Sequence, residues 1–428
     1  MKIVFGKLFL ISLLILIVPI CSAEELNIIE NDYDSLYEEI HETVTDSTDA
    51  VSHIDDKNYY LIQDEVDDAM DVEYKIFDGF NSGKKENFEK IEGPLFSKII
   101  KQDIIRTDMP SYLLKPVSTF FYEKGPLRKV QFIGAYNGGL DLRWKDKKYQ
   151  STDYDYNFMQ VGALGKFADD YTDFKVLFNL RPKEGLNYMQ NFVADAYLVN
   201  NRIPHHKLIL GHSRNAVGHE GAMSSYILPF ATRSQISRTF GSTRATGAKI
   251  IGDYSLIDYS LAANSSDRFF HEFFPGAEFT GWVNLKPLGK TNGKYGRLTI
   301  GGGINTGKNR TDYTVGGLYI GYRYKKLYAN FEYASADGYN GSYVSDKKAS
   351  GFYGTLGYKI TPRVQLIARY DRFDPNKNKS NDIRQEITAG INWFIKGQAI
   401  RVILNYVFCM NQASPDSHRL ILATQFLL

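Results

Sequence analysis

The stretch from Asn201 to Ile250 concentrates the groups in this chain that could do chemistry. It contains Arg202, Lys207, Arg214, Arg233, Arg238, Arg244 and Lys249 against one acid, Glu220. Four of the eight histidines, His205, His206, His212 and His219, lie here too. Cations at this density suit anion binding. An anion entering a narrow, low-dielectric passage loses hydration, and fixed cations compensate for that loss. Arginine adds a planar fork that can hold phosphate through two parallel hydrogen bonds. Arg214, Arg233, Arg238 and Arg244 are therefore the first candidates for an anion site. The middle of the stretch, roughly Ser213 to Thr243, is long for a loop, and loops of that length usually carry function.

Other chemical readings are weaker. His205 and His206 are adjacent, so on a strand they face opposite ways and cannot share a metal. His212 and His219 have no third ligand at fitting spacing, so no metal is expected. Gly302–Lys308 matches part of a phosphate-binding loop. However, Asn309 follows where Ser or Thr is needed, and a strand pattern follows where a helix is needed. It reads as a Gly-rich strand end. Ser224, Ser225 and His219 stand outside any nucleophile elbow. The expectation is a protein that is not an enzyme, takes no cofactor and binds no nucleic acid.

The elements that must position these residues are strands. Ile400, Val402, Leu404, Tyr406 and Phe408 alternate with Arg401, Ile403, Asn405 and Val407, giving an apolar face and a mixed one. Ile387–Ile395 repeats the pattern, and Lys396-Gly397 makes a tight turn between the two. Val364, Leu366, Ala368 and Tyr370 oppose Arg363, Gln365, Arg369 and Asp371. Strand starts fall near 129, 154, 172, 191, 205, 244, 254, 276, 294, 312, 326, 349, 361, 384, 398 and 417. Short alternating segments with aromatic ends predict an all-β, transmembrane antiparallel barrel of about sixteen strands. Alternation puts Lys249, Arg323, Lys325, Arg369 and Arg401 on its inner face. Tyr319 and Tyr353 fall there as well, which keeps a sugar-stacking channel as an alternative.

The chain ends differ from this body. Residues 1–23 carry two lysines, an apolar run and a small-residue end, and read as a secretory signal peptide. If Cys21 leaves with it, Cys409 is the remaining cysteine. Residues 24–128 read as an acidic periplasmic arm with helix and loop, helical or disordered in its first part, and residues 129–428 as the barrel. Within the arm, 24–80 holds nineteen Asp/Glu against two Lys/Arg, or −17. From Asn81 onward the balance is +17, so a formal net charge of +2 hides an acidic arm and a basic body.

The body resembles the phosphate-selective porin O/P family. The resemblance is carried by Asp195-Ala-Tyr197, the strand Leu208–Gly211, Gly247-Ala-Lys-Ile250, Arg369-Tyr-Asp-Arg-Phe-Asp374 and the final pair Val402–Tyr406 and Leu420–Leu428. Where that family commonly has Pro-Phe-Gly, this chain has Ser213-Arg-Asn-Ala-Val-Gly218, and it ends in Leu428 rather than an aromatic. The resemblance implies a bacterial outer-membrane channel, usually a homotrimer, passing small anions such as phosphate. Outer-membrane lipid is then a partner. A general or sugar-conducting porin is the alternative. A second alternative is a tether whose arm contacts the cell wall.

Overall fold

The computed structural model of the protein describes residues 119–122, 124–181, 192–215, 217–268, 270, 272, 274–291 and 293–427. The segment expected to be a signal peptide and most of the segment expected to be an acidic arm lie outside the described residues. The described arm segment contains a short strand, β1 (Thr119–Phe121), where helix and loop were expected.

Sixteen further strands form the barrel. They are β2 (Leu127–Lys145), β3 (Lys148–Phe167), β4 (Thr172–Asn179), β5 (Val193–Asn200), β6 (His206–Arg214), β7 (Arg244–Asp253), β8 (Ile257–Ser265) and β9 (Ala277–Leu285). The ring continues with β10 (Arg297–Asn309), β11 (Thr311–Tyr324), β12 (Leu327–Asn340), β13 (Val344–Thr361), β14 (Val364–Asp374), β15 (Arg384–Lys396), β16 (Ile400–Asn411) and β17 (Ser414–Leu427). Each pairs antiparallel with the next, and β17 pairs with β2 from Ser417↔Lys145 to Leu427↔Ala135. The sheet thus closes on itself, which leaves no unpaired edge for lipid to meet. β1 lies against Lys129–Gln131 of β2, beyond the point where β17 stops.

The side-chain period of two explains why this sequence closes this way. On β14, Leu366 and Tyr370 are exposed, while Gln365, Ile367, Arg369 and Asp371 are buried. On β16, Leu404 and Tyr406 are exposed, while Arg401, Ile403, Asn405 and Val407 are buried. Leu318, Ile320, Phe331, Leu356 and Ile391 add to the exposed apolar set. So large an apolar exterior is unfavourable in water and suited to a bilayer. Among the described residues no helix is long and apolar enough to cross a membrane, so any crossing is by strands.

The two ends differ. Lys325 and Lys326 form the tight turn after β11, and Gly397, with φ 52°, turns the chain between β15 and β16. These lie at the end where β2 begins and β17 finishes. The opposite end carries the loops 215–243, 266–276 and 375–383. Long loops mark the outer side of such a barrel, and short turns mark the periplasmic side.

The Gly-rich stretch before Lys308 is strand throughout. Trp282 explains its glycines. A Cβ on Gly303 would collide with the Trp282 ring and the Gly281 carbonyl, and one on Gly317 would sit 3.4 Å from the same ring. Trp282 is 4% exposed, lies inside the barrel and packs with Tyr319 and Ala222. The glycines make a flat seat for an indole.

Candidate functional site: a loop seated in a basic lumen

The loop between β6 and β7 folds into the barrel. It contains two short helices, α1 (His219–Ala222) and α2 (Gln235–Phe240), with a 3-10 turn at Ser225–Ile227 between them. Ser234 caps α2 by accepting from Ser237 N. The loop buries apolar groups against several sectors of the wall. Val217, Ile236 and Phe240 cluster with Val315, Ala336, Tyr353 and Phe373. Ala231 clusters with Ile403, Val407 and Ala423. Met223, Tyr226, Ile227 and Leu228 cluster with Phe158, Leu164, Val199, Ile209 and Ile251. Each fully buried side chain of this size contributes about 2 kcal/mol.

Polar groups on the wall complete the seating. Glu332 accepts the backbone N–H of His219 at 2.7 Å and of Glu220 at 3.1 Å. Asp371 accepts that of Gln235 at 2.7 Å. Asn405 accepts that of Ala231 at 2.8 Å. Asn392 donates to the Pro229 carbonyl at 2.9 Å, and Gln425 to that of Tyr226 at 2.9 Å. Tyr226 in turn donates through its hydroxyl to Gln160 at 2.7 Å. Asn215 donates to Glu278 at 2.5 Å. β3, β9, β12, β14, β15, β16 and β17 all hold the loop directly.

This seating settles where the predicted basic residues lie. Arg233 is buried and donates to the carbonyls of Glu220 and Met223, the latter at 2.6 Å. Arg369 is 2% exposed, donates to the carbonyls of Thr232 and Arg233, and lies 4.6 Å from the Phe230 ring centre. Its nearest carboxylate is Glu220, at 3.5 Å, with Asp371 at 3.9 Å. Arg401 is 1% exposed and donates to Gln425 at 3.1 Å. Arg369 and Arg401 lie on the inner face as alternation expects, Arg233 lies within the loop, and all three are buried rather than open to solvent. Lys325 leaves the inner face: the turn after β11 ends the alternation there, and its ammonium lies over the Tyr324 ring. Arg323 is on β11 beside the Tyr328 ring. Arg214 donates to Ser242, and Lys249 donates to the Arg214 carbonyl at 2.7 Å. Arg238 on α2 pairs with Glu386 at 2.7 Å while a third of its side chain stays exposed.

Arg244 belongs to a group that the sequence only partly revealed. Asp195 lies between Arg244 at 2.6 Å and Lys175 at 2.8 Å, so one acid neutralises part of two cations. Toward the periplasmic end, Lys129 on β2 stands directly opposite Lys166 on β3, which in turn stands opposite Asp173 on β4. Asp173 accepts from Asn201 at 2.7 Å. Lys207 is buried on the same side of β6 as Ile209. The periplasmic half of the wall from β2 to β7 thus carries Lys129, Lys166, Lys175, Lys207 and Lys249 with Asp173, Asp195 and, at the end of β7, Asp253. At the outer mouth, Asp141 holds both Arg143 at 2.7 Å and Arg419 at 2.6 Å. Arg268, in the loop after β8, forks onto Glu278. Burial there disfavours its charge, but the Glu278 carboxylate outweighs this and raises the guanidinium above its ordinary range.

The remaining candidates are dispersed. His212 bonds Thr246 and packs against Phe270, whereas His219 stacks on Tyr319 with centroids 3.6 Å apart. Among the described residues no group of three His, Cys, Asp or Glu is arranged to hold a metal. Tyr353 donates to Glu332 at 2.7 Å. Both tyrosines that suggested sugar stacking are therefore engaged in seating the loop. A chamber of 460 Å³ lies on the periplasmic side of α1, with Trp282, Tyr254, Asp253, Asp258, Lys286 and Arg297 among its lining residues.

A closed barrel with an apolar exterior, a charged interior and a loop folded inward is the architecture of outer-membrane porins, and comparison with known proteins agrees. Residues 257–420 match the family of phosphate-selective porins O and P. The matched segment runs from β8 into β17, so β2–β7 and the inward loop lie outside it. Their chemistry has to be read from their own residues. The fold is similar to a Salmonella typhi OmpF in complex with daunomycin, at 13% identity and TM-score 0.52, covering 72% of this chain and 99% of that one. It is similar to an anion-selective porin from Comamonas acidovorans, at 10% identity and TM-score 0.51, covering 70% and 99%. It is also similar to the outer-membrane channel DcaP of Acinetobacter baumannii, at 12% identity and TM-score 0.50, covering 73% and 100%. At such identities the likeness is one of fold. No curated protein matches the sequence.

Proposed function

We propose that the protein is a passive outer-membrane diffusion channel that favours small anions, phosphate among them. The observation that carries this reading is the lysine-rich periplasmic half of the β2–β7 wall. Lys129, Lys166, Lys175, Lys207 and Lys249 outnumber Asp173, Asp195 and Asp253 there, beside a lumen narrowed by the seated loop. Partly buried cations in such a passage are screened less than surface charges and offset the hydration an anion gives up. Arg238, Arg143 and Arg419 extend positive charge toward the outer mouth, where each keeps an exposed portion. The family match and the anion selectivity of the Comamonas porin support the same preference. Secretion through a cleaved signal peptide, a homotrimeric assembly and a cell-wall contact through the acidic arm complete the proposal.

The test is the reversal potential of purified protein in a planar bilayer under a potassium chloride gradient, followed by added phosphate. The expected result is a potential on the chloride side and a chloride current blocked by phosphate. Equal permeability of both ions would refute the anion preference.

A further inference from the structure

The outer face of the barrel carries a hollow of 390 Å³ lined by Trp144, Lys147, Tyr406, His418 and Leu420. None of these residues belongs to the lumen. The hollow lies beside the tips of the β2–β3 and β16–β17 hairpins, at the end that bears the long loops. Strand register orders its chemistry along the barrel axis. One rung places Tyr406 opposite Leu420 and Leu420 opposite Leu142. The rung above places Phe408 opposite His418 and His418 opposite Trp144. Above both, the β2–β3 turn carries Lys147. Two residues along a strand cover roughly 7 Å, so apolar floor, aromatic belt and cation follow one another within a headgroup's length.

The walls are fixed. The Tyr406 hydroxyl and His418 Nδ1 are 2.7 Å apart, and His418 stacks on Phe408 with centroids 4.9 Å apart. Trp144 meets Tyr149 edge-on at 6.3 Å. Ordered rings at the top of an apolar band usually mark the membrane interface. Here they also border an open hollow, and the exposed Lys147 is among its lining residues.

We propose that this hollow is a binding site for the phosphate-bearing headgroup of an acylated lipid in the outer leaflet. The acyl chain lies along Leu420 and Leu142, the headgroup is wedged between Trp144 and His418, and the phosphate reaches Lys147. The site is continuous with the lipid-facing band, and its charge complements an anionic lipid.

The experiment uses the full chain in detergent and native mass spectrometry, with bisphosphorylated lipid A as the probe. A matched probe is the same lipid with its phosphates removed. The intact lipid is expected to bind about fivefold more tightly, the effect of one lysine near an anionic headgroup. Lys147→Glu should abolish that difference, and Trp144→Ala should weaken both probes. Millimolar inorganic phosphate should leave the lipid bound, and the reversal potential of Lys147→Glu should match that of the unaltered protein. Equal binding of the two probes, or a difference that survives Lys147→Glu, would overturn the proposal. Displacement by inorganic phosphate would mean a free-ion site, and altered selectivity would place Lys147 at the channel mouth. Either result refutes the lipid site.

Discussion

The carboxylate of Glu332 accepts the backbone N–H of Glu220, so an acid on the wall holds an acid on the loop by its amide. The same carboxylate takes the His219 amide and the Tyr353 hydroxyl. Three donors therefore converge on one buried group at the start of α1. Hydrogen bonds to a charged group contribute about 1.5–3 kcal/mol each. Glu332→Gln keeps the shape but replaces one acceptor oxygen with a donor. The variant should insert and fold, with single-channel current noisier than that of the unaltered protein. Unchanged current noise in planar bilayers would mean that Glu332 does not hold the loop.

Arg369 and Arg238 should separate structural from conducting roles. Arg369 is buried between two carbonyls, the Phe230 ring and two carboxylates. Arg369→Met leaves Glu220 and Asp371 without their cation, at a cost of about 3–5 kcal/mol. Arg238→Ala breaks a pair whose arginine is a third exposed, and should cost less than Arg369→Met. Urea unfolding in lipid vesicles would rank the two. Reversal potentials should show a loss of anion preference for Arg238→Ala.

Lys129 and Lys166 face each other across β2 and β3, and like charges in that position repel by roughly 0.2–1 kcal/mol. Lys129→Gln should therefore leave stability equal or slightly higher while lowering the permeability of chloride relative to potassium. A fall in both stability and selectivity would place Lys129 in a structural pairing instead.

Gly303 gives a prediction with an optical readout. Gly303→Ala pushes a methyl into the Trp282 ring, and overpacking of this kind costs about 1–3 kcal/mol. Trp144 and Trp393 sit on the outer face, so a change in the tryptophan emission accessible to aqueous quencher reports Trp282. No change in quenching would mean that the indole does not rest on the glycine seat.

The barrel was legible because a period of two survives any error in strand ends. The expected starts near 172, 244 and 384 coincide with β4, β7 and β15, and the others fall within about three residues of the observed ones, except 154 and 349, which lie inside β3 and β13. The site was legible only in part. Alternation placed Arg369 and Arg401 on the inner face, and they are there. It carries no information about what covers that face, so two cations expected in solvent are buried under the loop. Lys175 obeys the same alternation, but β4 has eight residues and gives a short signal. The seats of the loop, such as Asn405 and Glu332, lie far from it in sequence and emerge only when the ring closes.

The wall's side chains grip the loop largely by its main chain: Asn405 at the Ala231 amide, Asn392 at the Pro229 carbonyl, Gln425 at the Tyr226 carbonyl and Asp371 at the Gln235 amide. Main-chain groups persist through almost any substitution. Part of the address of the loop is thus stored in the barrel, and the minority of loop side chains that are not buried are left to vary. A lineage could exchange the residues that meet the solute, and hence what is admitted, without redesigning the scaffold that places them.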